Sequence, residues 1–250
     1  MVRATPSPLL AGCMLISDRT SHLLKRLHSL TGVVPVGVFV LWHVFANSYA
    51  VHGPDAFNGI AGALARLPYV QLIELFGIAV PILFHMVLGV LIITTGQANA
   101  GRYRHGANWR YVLQRLSGLV LVAYIIWHVW TTRLSPQVLA GDEDLFGLME
   151  SELANPWVLA FSVLGVVSAA WHLGNGLFGF AIHWGIATGR RAQRAVARLG
   201  FAVFVILSLV GVNSLLSFRH AGVRLFERAH EAQVATGAAA PADGPREAAR

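Results

Sequence analysis

Five stretches of this chain are long and apolar enough to cross a bilayer, and no charged residue interrupts the middle of any of them. A spanning helix needs ~20 apolar residues, because its backbone polar groups find no water in the hydrocarbon core and must bond within the helix. The stretches run over about 30–50, 70–95, 111–133, 157–187 and 200–218. The expected fold is an all-α membrane protein built as a bundle of five transmembrane helices. The fourth stretch is longer than a bilayer requires and should tilt or protrude. Charged residues are only 12% of the 250 positions, and 55% are hydrophobic. Soluble domains carry about 25% charged residues, so that class is excluded.

Flanking segments read differently. Residues 1–20 form an expected leader of loose order; LAGC at 10–13 resembles a lipoprotein cleavage box, but the apolar run before it is short and broken by Pro6 and Pro8. The tail, 219–250, is expected to begin with a short amphipathic piece around Val223–Phe226 and then to lack order, being rich in Ala, Gly and Pro. With one cysteine, Cys13, the chain can build neither an internal disulfide framework nor a cysteine metal site. Any iron–sulfur cluster has to belong to a partner.

The net charge of +7 would suggest nucleic acid in a soluble protein. Here the basic residues lie in short loops, which is a topology signal, and no nucleic-acid partner is expected. Arg19, Lys25 and Arg26 precede the first span. Arg102, Arg104, Arg110 and Arg115 follow the second, and Arg190, Arg191, Arg194 and Arg198 follow the fourth. The first and third loops offer only Arg66 and Arg133, and the third carries Asp142, Glu143, Asp144, Glu150 and Glu152. Positive-inside therefore places the N-terminus in the cytoplasm and the C-terminus outside.

Four of the spans each hold a histidine: His43, His85, His128 and His172. An ionisable residue in lipid is costly and marks function by default. With ~1.5 Å of rise per residue, His43 lies ~20 Å and His128 ~25 Å above the inner ends of their spans. The second and fourth spans run the other way, which puts His85 and His172 ~22–24 Å from the outer face. Depth thus proposes an outer pair, His43 with His128, and an inner pair, His85 with His172. Two neutral imidazoles per level suit haem iron; zinc or copper would want further carboxylate or thiolate ligands. Interhelical hydrogen bonding, or a proton relay in a haem-free transporter, is the alternative. Gly165, Gly176 and Gly179 share a helical face with His172, and Gly89 is four residues from His85. They give room for a flat macrocycle or serve helix packing.

Several segments in order carry a resemblance: KRLHSLTGVVPVGVFVLWH (25–43), NAGRY (99–103), NWRYVLQRLSG (108–118), WHVWTTR (127–133) and WHLGNGLFGFAIHWGI (171–186). Over about residues 20–218 the chain resembles the five-helix dihaem cytochrome b anchor of bacterial succinate:menaquinone oxidoreductase, which is related to the anchor of quinol:fumarate reductase. The resemblance implies two haems b with the four histidines as axial ligands in the same pairs. It implies a flavoprotein subunit with FAD that oxidises succinate, an iron–sulfur subunit docked on the cytoplasmic face, and electron flow through the inner and then the outer haem to menaquinone. The dicarboxylate site would lie on the partner, the location would be the bacterial inner membrane, and a higher oligomer of the complex stays open. The same architecture can run as a fumarate reductase. Membrane subunits of hydrogenases and formate dehydrogenases fit the span count and segments less well.

Around that frame Glu74 lies eleven residues before His85, about three α-helical turns, near the outer face. A carboxylate there can exchange protons with a quinone headgroup, or be a solvated interfacial group. His183 lies eleven residues after His172 at the inner end; with Ser29, Gln114 and Arg115 it is a candidate to hold inner-haem propionates. His28 is at the same level and equally ambiguous.

Overall fold

The computed structural model describes residues 18–95 and 106–220. The leader up to residue 17, the basic loop 96–105 and the tail from 221, with its expected interfacial piece, lie outside the described residues. Helices α1 (Asp18–Val33) and α2 (Pro35–Ser48) form one rod. Pro35 has no N–H and its ring crowds the carbonyl of Thr31, yet Val34 N–H still reaches Leu30 O at 2.9 Å and Val38 N–H reaches Val34 O at 3.2 Å. The rod ends in a 3₁₀ turn (Tyr49–His52), and α3 (Pro54–Ala65) follows. A short helical turn (Val70–Leu72) and a π-helix (Ile73–Ala79) lead into α4 (Val80–Thr95). Then come α5 (Gly106–Thr131), a turn of helix (Pro136–Leu139), α6 (Leu145–Leu153), α7 (Pro156–His183) and α8 (Arg190–Ser217). No strand occurs among the described residues.

Five segments are long and apolar enough to span a membrane: Thr20–His52, Val70–Thr94, Asn108–Thr131, Pro156–His183 and Arg190–Ser217. The protein is a multi-pass, all-α membrane protein. Helix boundaries differ from the apolar stretches in an instructive way. The first helix starts at Asp18 rather than near 30, and the last at Arg190 rather than near 200. Polar residues continue a helix beyond the hydrocarbon, where water satisfies them, so apolar runs mark the lipid and not the helix. The fourth helix stops at His183, short of 187, where Trp184 and then Gly185 at φ 69° turn the chain. The third helix likewise ends at Thr131.

The face toward lipid is apolar and open, as at Trp157 and Leu209. Tight packing is found in two places. Between α7 and α8, Gly174 and Gly200 meet backbone to backbone: a Cβ on either would run into the carbonyl oxygen of the other. Small residues allow this approach where lipid supplies no hydrophobic drive for helix association. Ala170, Leu173 and Leu207 continue the seam, with Val40, Val44, Val203 and Phe204 around it.

The second core lies at the end of the bundle. The first and third loops contain α3 and α6, and Ala50, Phe57, Phe146, Leu153, Leu215 and Phe218 bury together. Leu153 is 0% and Phe218 1% exposed. Asn58 staples the two loops: its Nδ2 donates to Asp144 Oδ1 at 2.9 Å, and its Oδ1 accepts from Phe146 N at 2.9 Å. Asp144 also caps α6 by accepting from Gly147 N at 3.0 Å. These two contacts, Gly147 first, hold its carboxyl below the usual carboxylate range. The acidic residues share this loop with Phe146 and Leu153, which point inward.

Candidate metal centres

His85 on α4 and His172 on α7 face each other with ring centres 6.1 Å apart and planes at 87°. Both rings are tied at Nδ1. His85 Nδ1 lies 2.9 Å from the carbonyl of His28 on α1. His172 Nδ1 lies 3.1 Å from the carbonyl of Gln114 on α5 and 3.1 Å from Ser117 Oγ. A carbonyl can only accept, so each Nδ1 carries the proton and each Nε2 keeps its lone pair. The glycines near these rings make room for the imidazoles themselves. A Cβ on Gly32 would collide with the His85 ring, and one on Gly118 would sit 3.1 Å from His172 Cε1.

His28 adds a third ring. It stacks on His85 at 3.9 Å and 11°, and its Nδ1 is buried without a hydrogen bond. Gly89, expected either to open space for a macrocycle or to serve helix packing, faces this ring, where a Cβ would lie 3.1 Å from His28 Cε1. Gly165 likewise takes the ring of Tyr124, Gly176 faces the Gln114 amide, and nothing lies within 4 Å at Gly179. The shared glycine face of α7 is therefore used in three different ways.

His43 on α2 and His128 on α5 form the other pair, with ring centres 5.9 Å apart and planes at 79°. Their surroundings are aromatic. Tyr124 stacks on His128 at 5.5 Å and 17°, and Phe39 lies 5.3 Å from His43. Asn47 Nδ2 donates to His43 O at 2.8 Å, and Thr132 Oγ1 donates to His128 O at 2.5 Å. Among the described residues these bonds hold the backbone of the two positions and no hydrogen bond holds their rings. Among the described residues no ring contact joins a histidine of one pair to a histidine of the other.

Glu74 sits in the π-helix. A π turn takes in an extra residue, so the α-helical count that set Glu74 on the face of His85 lags by ~100° here. What Glu74 faces is Arg133, just past the end of α5: Arg133 Nη2 donates to Oε2 at 2.8 Å and Nε to Oε1 at 3.2 Å. The carboxylate's hydrogen bond and charge hold the Arg133 guanidinium above its usual range. Nothing in the sequence singled out Arg133 except its being one of two cations in its pair of loops.

The four residues considered for propionate contact stand apart. Gln114 bridges α5 and α7: its Nε2 donates to His172 O at 3.1 Å and its Oε1 accepts from Asn175 Nδ2 at 2.8 Å. Asn175 Oδ1 in turn accepts from Arg110 Nε at 2.9 Å. Arg115 donates to the carbonyls of Ile93 and Ile92 at 3.2 and 3.4 Å, which ends α4 with a cation. Ser29 Oγ accepts from Trp184 Nε1 at 3.2 Å and donates to Arg26 O at 2.9 Å. His183 lines a cleft of ≈ 330 Å³ with Ser21, His22, Lys25 and Arg26. All lie toward one end of the bundle, but Gln114, Arg115 and Ser29 each bond a different partner and His183 lines a separate cleft.

Comparison with known proteins agrees with this architecture. Residues 93–211 match the succinate dehydrogenase/fumarate reductase transmembrane subunit family. Over 203 residues the chain is 39% identical to the succinate dehydrogenase cytochrome b558 subunit of Bacillus subtilis (strain 168), covering 81% of this chain and 100% of that protein. A chain this similar along the whole of such a relative belongs to the succinate dehydrogenase/fumarate reductase family of transmembrane subunits, and its five candidate spans accord with that.

Proposed function

We propose that this chain anchors a succinate dehydrogenase in the bacterial inner membrane and conducts electrons from an iron–sulfur subunit to menaquinone through two bis-histidine haems b. The observation that carries the reading is the spacing of the two ring pairs, 6.1 and 5.9 Å between centres. Facing imidazoles at this separation would be able to hold one haem iron per pair. The donor set, two neutral imidazoles per level, is one haem iron accepts. His85 and His172 would hold the inner haem and His43 and His128 the outer one. When bound, the haems would supply one-electron carriers at two depths.

The chain's own residues do the rest. Carbonyls of His28 and Gln114 fix the tautomer of the inner ligands. Basic residues at the inner end, Lys25 and Arg26 beside His183 in one cleft and Arg115 elsewhere, favour an electrostatic fit to partner carboxylates or haem propionates, with Ser29 and Gln114 as further polar groups at that end. At the other end Glu74 exchanges protons with the quinone headgroup, with Arg133 as its counter-ion in between. The flavoprotein with FAD and the iron–sulfur subunit supply the electrons, and the N-terminus lies in the cytoplasm. The decisive experiment is a dithionite-reduced minus oxidised spectrum of the purified chain with haem counted per polypeptide. Two haems b per chain are expected; a chain without a b-type band would leave a haem-free transporter with a histidine relay as the better account.

A further inference from the structure

The setting of His172 contains a side chain that neither the expected ligand set nor its backbone anchor requires. Ser117 is 7% exposed on α5, and its hydroxyl donates to the Gln114 carbonyl at 3.1 Å, the bond a helical serine ordinarily makes with its own preceding turn. With that proton committed, the oxygen presents a lone pair, and His172 Nδ1 lies 3.1 Å from it. The imidazole N–H is thus shared between a carbonyl and a hydroxyl that are themselves bonded to each other. Next in sequence, Gly118 offers bare backbone to the edge of the same ring. Positions 117 and 118 form a seat: one residue fixes the rotation of the imidazole and the other lets it come close.

We propose that Ser117 is a positioning residue for His172, holding the imidazole with Nε2 toward the iron and setting the reduction potential of the inner haem. The proposal rests on the reading of His85 and His172 as haem ligands. An acceptor at Nδ1–H shifts electron density onto the imidazole, which strengthens the bond to ferric iron more than to ferrous iron and lowers the potential; such outer partners typically change metal affinity 10–100-fold. The outer pair, whose ring nitrogens have no such acceptor among the described residues, serves as the internal control.

The test uses the whole complex in membranes, carrying Ser117→Ala or Ser117→Thr, with potentiometric titration of both haems and low-temperature EPR of the ferric state. Ser117→Ala should raise the potential of the inner haem and shift its largest g value, leaving the outer haem where it was. Ser117→Thr, which keeps the hydroxyl, should restore both inner-haem readouts. If Ser117→Ala costs the inner haem altogether, a threonine variant with the native inner-haem potential supports the proposal, because only the hydroxyl distinguishes it. The proposal is overturned by an alanine variant with unchanged potential and EPR, or by a threonine variant that behaves like alanine. Failure of the underlying reading looks different: the unsubstituted complex would itself contain no haem assignable to His85 and His172.

Discussion

In the inner pair both imidazoles are tied by Nδ1 to oxygens on other helices, α1 for His85 and α5 for His172. In the outer pair the rings lie against Tyr124 and Phe39 and, among the described residues, make no hydrogen bond, while their backbone carbonyls accept the hydrogen bonds. The spacing is the same and the control differs. Tethered rings have one tautomer and one orientation before any metal arrives. Rings placed by aromatic contact have no acceptor to select a tautomer, so theirs is left to be set by what binds between them. Such a difference suits a chain in which the inner site receives electrons through a fixed protein contact and the outer site meets a diffusing quinone.

Replacing one histidine in each pair is the largest perturbation of that comparison. His172→Leu should remove about half of the haem and also weaken docking of the iron–sulfur subunit, because Gln114, Asn175 and Arg110 are linked through that helix. His128→Leu should remove the other half while succinate is still oxidised with artificial acceptors. Haem content, co-purification and the two activities measure this; loss of both haems in either variant would mean that the pairs are not independent sites.

Glu74→Gln comes next and leaves both pairs intact. Quinone reduction should fall ~10²–10⁴-fold, the range of a lost acid–base group, with unchanged haem spectra. Normal turnover would reduce the Glu74–Arg133 contact to an interfacial ion pair, worth ~1 kcal/mol or less. Gly200→Val is a smaller and more selective change. It must push α8 from α7 at the Gly174 contact, at a cost of ~1–3 kcal/mol, and should broaden or shift the inner haem signal more than the outer one. Equal effects on both would show that the seam supports the bundle as a whole.

The smallest effect lies in the outer cap. Asp144→Ala removes a helix cap and should lower the midpoint of thermal unfolding by on the order of a few degrees. Because its carboxyl titrates below the usual range in the folded chain, the contribution is present above the unfolded value and is lost as pH falls through the folded one. The difference between native and variant midpoints should therefore shrink as the pH falls below about 4. A difference that persists in acid would point to lost packing rather than to the charged cap.

What the sequence discloses follows from what lipid demands. A span has to be continuous and apolar, so the five segments can be read directly, and a histidine there is conspicuous because it is costly. Charge asymmetry in the loops then sorts four histidines into two levels, the same pairs that the rings form. Beyond the hydrocarbon that logic stops, so Asp18–Ser29 and Arg190–Leu199 pass for loop although they are helical. The outer core was hidden because its apolar residues come singly from short segments, Phe57 from one and Phe146 from another. Ser117 and Arg133 stayed ordinary because their partners are 55 and 59 residues away. The acceptors from His28 and Gln114 are backbone carbonyls, which every residue has.

One crossing has a mechanical consequence. Where Gly174 meets Gly200 there is no side-chain layer to compress, so α7 cannot slide closer to α8. His172 is two residues from that contact, ~3 Å along the axis. Toward the other end of α7, Val158, Leu159, Val163 and Val166 pack against the core that contains Leu215 of α8. Bilayers of different thickness are met by tilting helices. With α7 and α8 joined near both ends, the two tilt as one strut, and the gap between them beside His172 keeps its width.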